Sequence, residues 1–296
     1  MLERIEWYHL VIGFIGFAVL SLAVVPPSSQ LGTSLGTFGG ELAVIEIDGM
    51  VSYGSGFRTD GTGPRTVAEL TEKAREGGAK AILYEINSGG GSVVASKRTS
   101  QIVERVDIPT VCRLKEVATS GAYWIASACD RVVADPLTLT GSIGVRSSYL
   151  EFSGLLRRFG VEYVNLSSGE YKDMGSRFKN LTSAERRKFN DLLNETHSYF
   201  VRSVAENRNM SVEEVRKIST GEVYLGKRAR ELGLVDVLGG RRTAVELAEN
   251  MTGTQLRTKT YSPPKRFDIL SLLFSSIGKG IAQGMKSMEK STLRAS

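Results

Sequence analysis

Residues 117–145, VATSGAYWIASACDRVVADPLTLTGSIGV, combine a Thr-Ser-Gly-Ala-Tyr run, an apolar helical run, a short strand-like VVA and a Thr-Gly-Ser-Ile-Gly segment. Ser120 falls where a loop gives way to the helix. A serine in this position commonly caps the helix by accepting a backbone N–H bond. The same position suits a nucleophile, because the unpaired N–H groups of the first helical turn can hold a developing oxyanion. Both interpretations of Ser120 are open on these residues alone.

A nucleophilic serine needs a general base, and the chain contains only two histidines. His9 lies at the edge of an apolar N-terminal run, and His197 lies in a charged helical pattern typical of a surface position. A Ser-His-Asp triad is therefore disfavoured. The remaining base is a neutral lysine, whose pKa falls when it is buried in an apolar pocket. Such a lysine should be dry, distant from carboxylates and oriented by a hydroxyl or carbonyl group.

Lys172 is the best local candidate for that base. It lies in the segment SSGEYKDMGS, residues 167–176, and follows an apolar pattern at Tyr163–Leu166 that predicts a strand. A loop in this position can direct a side chain into a cleft. The alternative is an exposed loop lysine beside Asp173, and composition alone does not choose between the two.

Four motifs, in this order along the chain, resemble the short-form signal peptide peptidases of the SppA type. These are membrane-anchored Ser-Lys peptidases of the Clp protease/crotonase superfamily. The motifs are Asn-Ser-(x)-Gly-Gly at Asn87–Gly91, Ser-Gly-x-Tyr at Ser120–Tyr123, Leu-Thr-Gly-Ser-Ile-Gly at Leu139–Gly144 and Ser-Gly-x-x-Lys-Asp at Ser168–Asp173. Two later segments, Gly221–Gly226 and Leu232–Asp236, extend the likeness, which covers about residues 41–250.

The resemblance implies a role for each motif residue. Ser120 would be the nucleophile, Lys172 the general base and Ser142 the hydroxyl that orients the lysine. It also implies an α/β domain of the Clp protease/crotonase type, peptide substrates such as remnant signal peptides, and no cofactor. The family assembles into rings or domes, in which the serine and the lysine can come from adjacent chains. One position departs from the family pattern, since Gly89 stands where proline is usual.

The glycine-rich segment Asn87–Ser92 lies between a predicted strand and a predicted helix. A phosphate-binding loop is the rival interpretation, but the Gly-Lys-Ser/Thr sequence of such loops is missing here. Backbone N–H groups of Gly90 or Gly91, together with that of Gly121, could instead bind an anionic tetrahedral intermediate. Gly91 is the better match by position.

Length and composition predict one large domain, because 296 residues with 41% apolar content can form a sizeable core. Strand and helix signals alternate along the chain, which is typical of an α/β fold. The predicted strands are Leu42–Ile47, Ala81–Ile86, Thr110–Leu114, Arg131–Ala134 and Tyr163–Leu166, and the predicted helices are Thr66–Arg75, Ser92–Arg105, Ser120–Ala128 and Ser183–Asn207.

The segment Trp7–Val25 has no Asp, Glu, Lys or Arg and is followed by two prolines. As a helix it would extend about 28 Å, enough to cross a bilayer. We expect a retained transmembrane anchor rather than a signal peptide cleaved near Ser21–Ala23 or a buried core helix. The Gly/Ser-rich residues 30–40 read as a linker. Arg4 places the N-terminus in the cytoplasm and the catalytic domain on the extracytoplasmic side.

The net charge of +6 lies in residues 257–296, which contain eight Lys/Arg and two Asp/Glu. Because the basic charge is confined to the tail and the rest of the chain is neutral, we expect the tail to bind an anionic membrane surface or an acidic partner rather than nucleic acid. Apolar residues recur at helical spacing in this tail: Leu270, Phe274, Ile277, Ile281, Met285 and Met288. This amphipathic stripe could lie on membrane lipid, contact a neighbouring subunit or pack in the core.

These patterns predict a transmembrane anchor at 1–27, a linker at 28–40 and a basic amphipathic tail at 257–296. Between them, the family resemblance implies a Ser-Lys peptidase domain at 41–256.

Cys112 and Cys129 are expected to be two buried free thiols, with a disulfide as the alternative in an extracytoplasmic domain. Two cysteines and two separated histidines make no credible zinc site.

The favoured function is a membrane-anchored serine endopeptidase. The alternatives are a crotonase-like enzyme acting on a thioester, and a membrane scaffold that keeps the fold without catalysis. The paired contexts of Ser120 and Lys172 argue against both alternatives.

Overall fold

The computed structural model describes residues 39–53 and 61–263, which form a mixed α/β fold around a central sheet. The expected anchor and most of the expected linker lie outside these residues, as does the amphipathic stripe of the tail. Across the two described ranges, no helix has both the length and the apolar character needed to cross a bilayer.

Strands and helices alternate along the described part of the chain. The strands are β1 (Gly40–Asp48), β2 (Ala81–Ser88), β3 (Thr110–Thr119), β4 (Arg131–Ala134), β5 (Leu139–Gly141), β6 (Val223–Leu225), β7 (Val237–Leu238) and β8 (Leu256–Tyr261). The helices are α1 (Pro64–Glu76), α2 (Val93–Glu104), α3 (Gly121–Ser127), α4 (Ser153–Arg158), α5 (Ser183–Arg208), α6 (Val212–Ile218), α7 (Gly226–Glu231) and α8 (Arg241–Thr252).

The sheet has the strand order β6-β5-β3-β2-β1-β8, and β4 lies between β3 and β7 in a branch off this path. Every pairing is parallel except that of β5 with β6. Parallel strands end at the same edge of a sheet, so the loops after β1, β2, β3 and β5 meet there. In open α/β sheets this edge is where ligands bind.

Strand β3 changes partner halfway along its length. Its first half pairs with β4, and its last residues, Val117–Thr119, pair with β5. The change coincides with a register shift against β2, between the pairs Ile86–Leu114 and Ser88–Ala118. Such a bulge bends a strand and redirects its end. Thr119 consequently lies beside Gly141.

The core lies on both faces of the sheet. On one face, helices α1, α2, α3 and α5 cover the strands, and Tyr84, Tyr123 and Phe200 are among the fully buried side chains. On the other face, α8 packs Ala244 and Ala248 against strand residues that include Leu83. Burial on both faces explains why these parallel strands are nearly continuous apolar runs in the sequence.

The predicted strand at Tyr163–Leu166 is wrong. Residues 161–167 form neither a helix nor a strand, and the side chains of Leu166 and Val164 are 95% and 69% exposed. An apolar pattern becomes a strand only where another strand supplies hydrogen bonds, and no described segment of the chain pairs with this one.

The folded domain also ends later than expected. Strand β8 pairs with β1 from Gly40–Leu256 to Ile45–Tyr261, so the sheet includes five residues that were assigned to the tail. The sequence LRTKTY carries charges at alternate positions, which suits an edge strand with an exposed face.

Cys112 and Cys129 form a disulfide, and the expectation of two free thiols is wrong. Cys112 lies in β3, and Cys129 follows α3. The short helix packs back against the strand that precedes it, which brings the two Cα atoms to 5.8 Å. This separation is within the range that a disulfide bridges. The bond encloses the segment that contains Ser120.

Loss of this disulfide is expected to destabilise the fold. A cross-link between two residues 17 positions apart lowers the conformational entropy of the unfolded chain. For a loop of this length, the folded state is stabilised by about 3 kcal/mol. We expect the double variant Cys112→Ala/Cys129→Ala, and the reduced wild-type protein, to lose roughly that free energy of unfolding in urea titrations. Two titratable thiols in the unfolded, unreduced wild-type protein would contradict the assignment.

Candidate active site

Ser120 and Ser142 lie side by side because each follows one of two paired strands, β3 and β5. The Ser120 N–H donates to the Gly141 carbonyl at 2.8 Å, and the Ser142 N–H donates to the backbone carbonyl of Glu222 at 2.7 Å. Both serines have left-handed backbone conformations, with φ of 55° and 50°. Such conformations cost a non-glycine residue about 1–3 kcal/mol and cluster at functional sites.

The capping interpretation of Ser120 does not hold. Ser120 occupies the residue before α3, but its side chain makes no capping hydrogen bond. Its backbone angles, φ 55° and ψ −126°, also differ from the extended geometry of an ordinary cap. The hydroxyl group is therefore available to the adjacent cleft.

A cleft of about 910 Å³ opens at this edge of the sheet. Its walls come from the loops after β1, β2, β3 and β5 and from the turn before β6. The lining residues are Gly49, Met50, Gly89, Gly90, Gly91, Val93, Ser120, Ser142, Gly144, Val145, Arg146, Thr220 and Gly221. The predicted serines and loop glycines thus share one cavity of a size typical for ligand sites.

The three glycines predicted as oxyanion donors are not equivalent. The Gly90 N–H is already committed, because it donates to Ser88 Oγ at 3.1 Å. The N–H groups of Gly91 and Gly121 have no acceptor among the backbone and side-chain groups of the described residues. These two amides lie near each other, since a Cβ built on Gly121 would be 3.4 Å from the Gly91 nitrogen. The geometry favours Gly91 and Gly121 as the pair of donors.

Close packing explains why these two positions are glycine. A Cβ on Gly91 would lie 1.9 Å from the Val51 carbonyl oxygen, and a Cβ on Gly121 would lie 2.0 Å from Ser96 Oγ. At Gly89, in contrast, a Cβ would meet nothing within 4 Å. The departure from the proline pattern at Gly89 therefore leaves the packing of the loop intact.

Lys172 does not line the cleft of its own chain. It lies in a turn where its N–H donates to the Gly169 carbonyl at 3.1 Å, and its side chain is exposed. The single chain thus brings Ser120 and Ser142 together but leaves Lys172 outside. The lysine is therefore not dry in the isolated chain. The preceding residues 161–167 also run over the surface, with apolar side chains uncovered.

Lys179, the other lysine of this region, is a poor candidate for the base. Its Nζ lies 2.7 Å from Glu185 Oε1, and this hydrogen bond raises the pKa of Lys179. It therefore stays charged. Lys172 has no carboxylate within ion-pair distance in the described part of the chain, although Asp173 is its neighbour in sequence. Asp173 instead accepts a hydrogen bond from the Tyr163 hydroxyl at 3.0 Å.

His197 lies on α5 and is not among the cleft residues. It is half-buried, whereas the sequence pattern predicted a surface position, and its Nε2 atom has no hydrogen-bond partner among the described residues. The geometry offers it no contact with Ser120. Nowhere in ranges 39–53 and 61–263 do three or more His, Cys, Asp or Glu side chains group closely enough to hold a metal ion.

Several cleft residues escaped the sequence analysis. Met50, Thr220 and Arg146 line the cavity but belong to none of the four quoted motifs. Arg146 lies two residues after the Leu139–Gly144 motif, so inspection of its flank could have found it. Met50 and Thr220 reach the cleft only through strand pairing, which leaves no local signal.

The sequence is similar to those of known and candidate peptidases. Residues 103–255 match the model of peptidase family S49. The candidate protease MJ0651 of Methanocaldococcus jannaschii is 30% identical, over 98% of this chain and 97% of its own length. The chloroplastic serine protease SPPA of Arabidopsis thaliana is 30% identical over 82% of this chain, which spans 38% of that protein.

Solved structures of the 1510-N membrane-bound stomatin-specific protease share the fold at 14% identity. One covers 76% of this chain and 98% of its own, with a TM-score of 0.50. The other, a mutant in complex with a substrate peptide, covers 79% of this chain and 97% of its own, with a TM-score of 0.51.

Proposed function

The chain belongs to peptidase family S49 and is a serine-type peptidase, and on that premise we propose that it is a membrane-anchored endopeptidase with a Ser120–Lys172 dyad. The neutral Lys172 amine takes the Ser120 proton as the serine oxygen attacks the peptide carbonyl. The tetrahedral intermediate then collapses, and the departing amine receives the proton from the Lys172 ammonium. Water attacks the acyl-serine ester with the lysine again as base, which releases the acid and regenerates the serine.

The observation that carries this proposal is the environment of Ser120. Its hydroxyl makes no capping hydrogen bond, and its backbone is held in a strained conformation. Two amides without an acceptor among the described residues lie close by, that of Gly91 in the cleft lining and that of Gly121 directly after Ser120. A sharp turn between a strand and a helix exposes nucleophilic serines in other hydrolases. Donors that are already oriented stabilise a developing oxyanion without reorganisation.

We propose that Lys172 acts on Ser120 of a neighbouring copy in a homo-oligomeric ring or dome. Its exposed position fits this role, because residues around it leave apolar side chains uncovered: Leu166, Val164, Val161 and Phe178. Uncovered apolar surface of this kind commonly marks a protein contact. A neighbouring chain would also exclude water from the amine, which favours its neutral form. Ser142, beside Ser120, would orient the incoming lysine.

The proposed substrates are signal peptides or other membrane-associated peptides, by likeness to the SppA-type peptidases. We place the catalytic domain on the extracytoplasmic side of the cell membrane, with Trp7–Val25 as a single-pass anchor. The Cys112–Cys129 disulfide supports this side, because disulfides persist in oxidising compartments.

Covalent labelling tests the proposal. We expect an activated fluorophosphonate to label the full-length, detergent-solubilised protein at Ser120, as identified by peptide mass spectrometry. Ser120→Ala and Lys172→Met should both lose the label, the first because the nucleophile is gone and the second because its base is gone. His197→Ala should label at the wild-type rate, since this residue lies outside the cleft.

Three outcomes would overturn the proposal. Labelling that survives in Lys172→Met would mean that another group activates the serine. Absence of labelling in folded, assembled wild-type protein would favour the non-catalytic scaffold. Cleavage of an acyl-CoA, with peptides left intact, would favour the crotonase-like alternative.

A further inference from the structure

Arg146 is the one charged residue among those that line the Ser120 cleft in the described structure. It follows Ser142, Gly144 and Val145 along the same wall. From this position we infer that Arg146 binds a carboxylate of the substrate, so that the peptidase prefers peptides with an acidic residue near the scissile bond. The inference rests on the proposed peptidase function and deepens it: among the proposed substrates it favours membrane-associated peptides with an acidic residue over signal peptides, whose charged region is basic and whose core is apolar.

The rest of the cleft leaves the charge of Arg146 unbalanced. The other lining residues are glycines, apolar side chains and the hydroxyl residues Ser120, Ser142 and Thr220. None of the lining residues is a carboxylate, and Arg146 forms no ion pair with any residue in the described ranges. The side chain is also exposed, so an arriving peptide can reach it.

A guanidinium group in this setting discriminates by charge and by shape. Its planar set of N–H donors matches the two oxygens of a carboxylate, which permits a paired hydrogen bond. A neutral amide offers one acceptor oxygen and repels the fork with its own N–H groups. A lysine or arginine in the same place is repelled outright. The expected order of substrates is therefore acidic, then neutral, then basic.

The position along the wall limits where the acidic residue can be. Arg146 is four residues after Ser142, so their Cα atoms are at most about 14 Å apart. An extended peptide in the cleft covers that distance in about four residues. The acidic side chain should accordingly lie within roughly four residues of the bond that Ser120 attacks.

Matched peptides test this inference. Each pair has Glu or Gln at one position, moved in turn through the four residues on each side of a single cleavage site. At the best position we expect the full-length wild-type enzyme to show kcat/KM about tenfold higher for the Glu peptide, the effect of one charge-assisted hydrogen bond. Arg146→Gln should bring the ratio close to one. Arg146→Glu should invert it and favour a matched Lys peptide.

Arg257→Gln is the matched control, because Arg257 is an exposed arginine near the start of β8, paired in register with Glu41 at the opposite end of the strands. Arg257→Gln changes the net charge by the same amount as Arg146→Gln. It should keep the wild-type ratio of kcat/KM between the Glu and Gln peptides. Raising the salt concentration should reduce the ratio in the wild type, since ions screen an exposed pair.

A separate binding measurement distinguishes failure of this inference from failure of the proposed function. Ser120→Ala removes the proposed nucleophile, so fluorescence anisotropy of its complexes with the two peptides reports charge preference without cleavage. Equal Kd values and equal kcat/KM values for Glu and Gln peptides would overturn the role of Arg146 and leave the peptidase intact. A Glu preference in binding without any cleavage by the wild type would retain the anion site and reject the peptidase.

Discussion

Ser120→Ala and Lys172→Met should each abolish peptide cleavage, and mixed assemblies of the two inactive chains should regain about a quarter of the wild-type rate. Each variant lacks one half of the proposed dyad. If the dyad is shared between chains, a site is complete where a Lys172→Met chain supplies Ser120 and its neighbour supplies Lys172. In an even mixture, either variant can occupy each of two neighbouring positions, which gives four equally frequent combinations. Only one of the four combinations forms a complete site.

Co-expression with two affinity tags, followed by sequential purification, provides the mixed assemblies for a peptide cleavage assay. The control is Ser120→Ala mixed with the double variant Ser120→Ala/Lys172→Met, which contains no Ser120 at all and should remain inactive. Thermal unfolding should show that both single variants keep the fold. Neither side chain is part of the buried core, which supports that expectation.

Recovery of activity would establish that the dyad joins two chains. If well-mixed assemblies stay inactive while wild-type chains incorporated in the same way restore cleavage, the dyad lies within one chain or Lys172 is not the base. Either result decides whether the exposed Lys172 serves the active site of a neighbouring chain.

Gly91→Ala is expected to lower kcat by about a hundred- to a thousandfold, the cost of losing one oxyanion donor. A methyl group at this position would lie 1.9 Å from the Val51 carbonyl oxygen. Because that atom belongs to backbone, the loop itself must move, and the Gly91 amide moves with it. A loss in kcat at nearly constant KM would be the signature of a defect in transition-state stabilisation.

Gly89→Ala is the matched control in the same loop. It adds the same methyl group where nothing lies within 4 Å, so activity should stay near wild type. The substitution also restricts the unfolded chain, which could add about 0.4–1 kcal/mol of stability where alanine fits the native backbone. Equal activity of Gly91→Ala and wild type would show that the Gly91 amide does not bind the oxyanion.

The central strands and helices α1, α2, α3 and α5 could be predicted closely from sequence. Ala81–Ile86 and Arg131–Ala134 lie within or coincide with observed strands, because a strand buried on both faces is an apolar run whatever its partners are. The short strands β5, β6 and β7 were missed. Each has two or three residues, too few for a periodic pattern.

The errors share a cause. Tyr163–Leu166 has the composition of a strand but lies beside no other strand of its own chain in the described structure. Cys112 and Cys129 gave no indication of pairing, since their approach depends on how α3 packs against β3. In both cases the local sequence was read correctly as a residue type or pattern. Whether a strand or a disulfide formed depended on contacts with other segments of the chain.

Residue types and their spacing along the chain are enough to identify the motifs, the alternation of strands and helices, and Ser120, Ser142 and Lys172 as candidate site residues. Three further facts depend on how the chain folds. Ser120 lies beside Ser142, the Gly90 amide donates to Ser88 while Gly91 adjoins Gly121, and Lys172 lies outside the cleft of its own chain. The physical reason is that residue types and periodicity record local conformational preference and burial. Proximity between distant segments arises from strand pairing and helix packing, which depend on many residues at once.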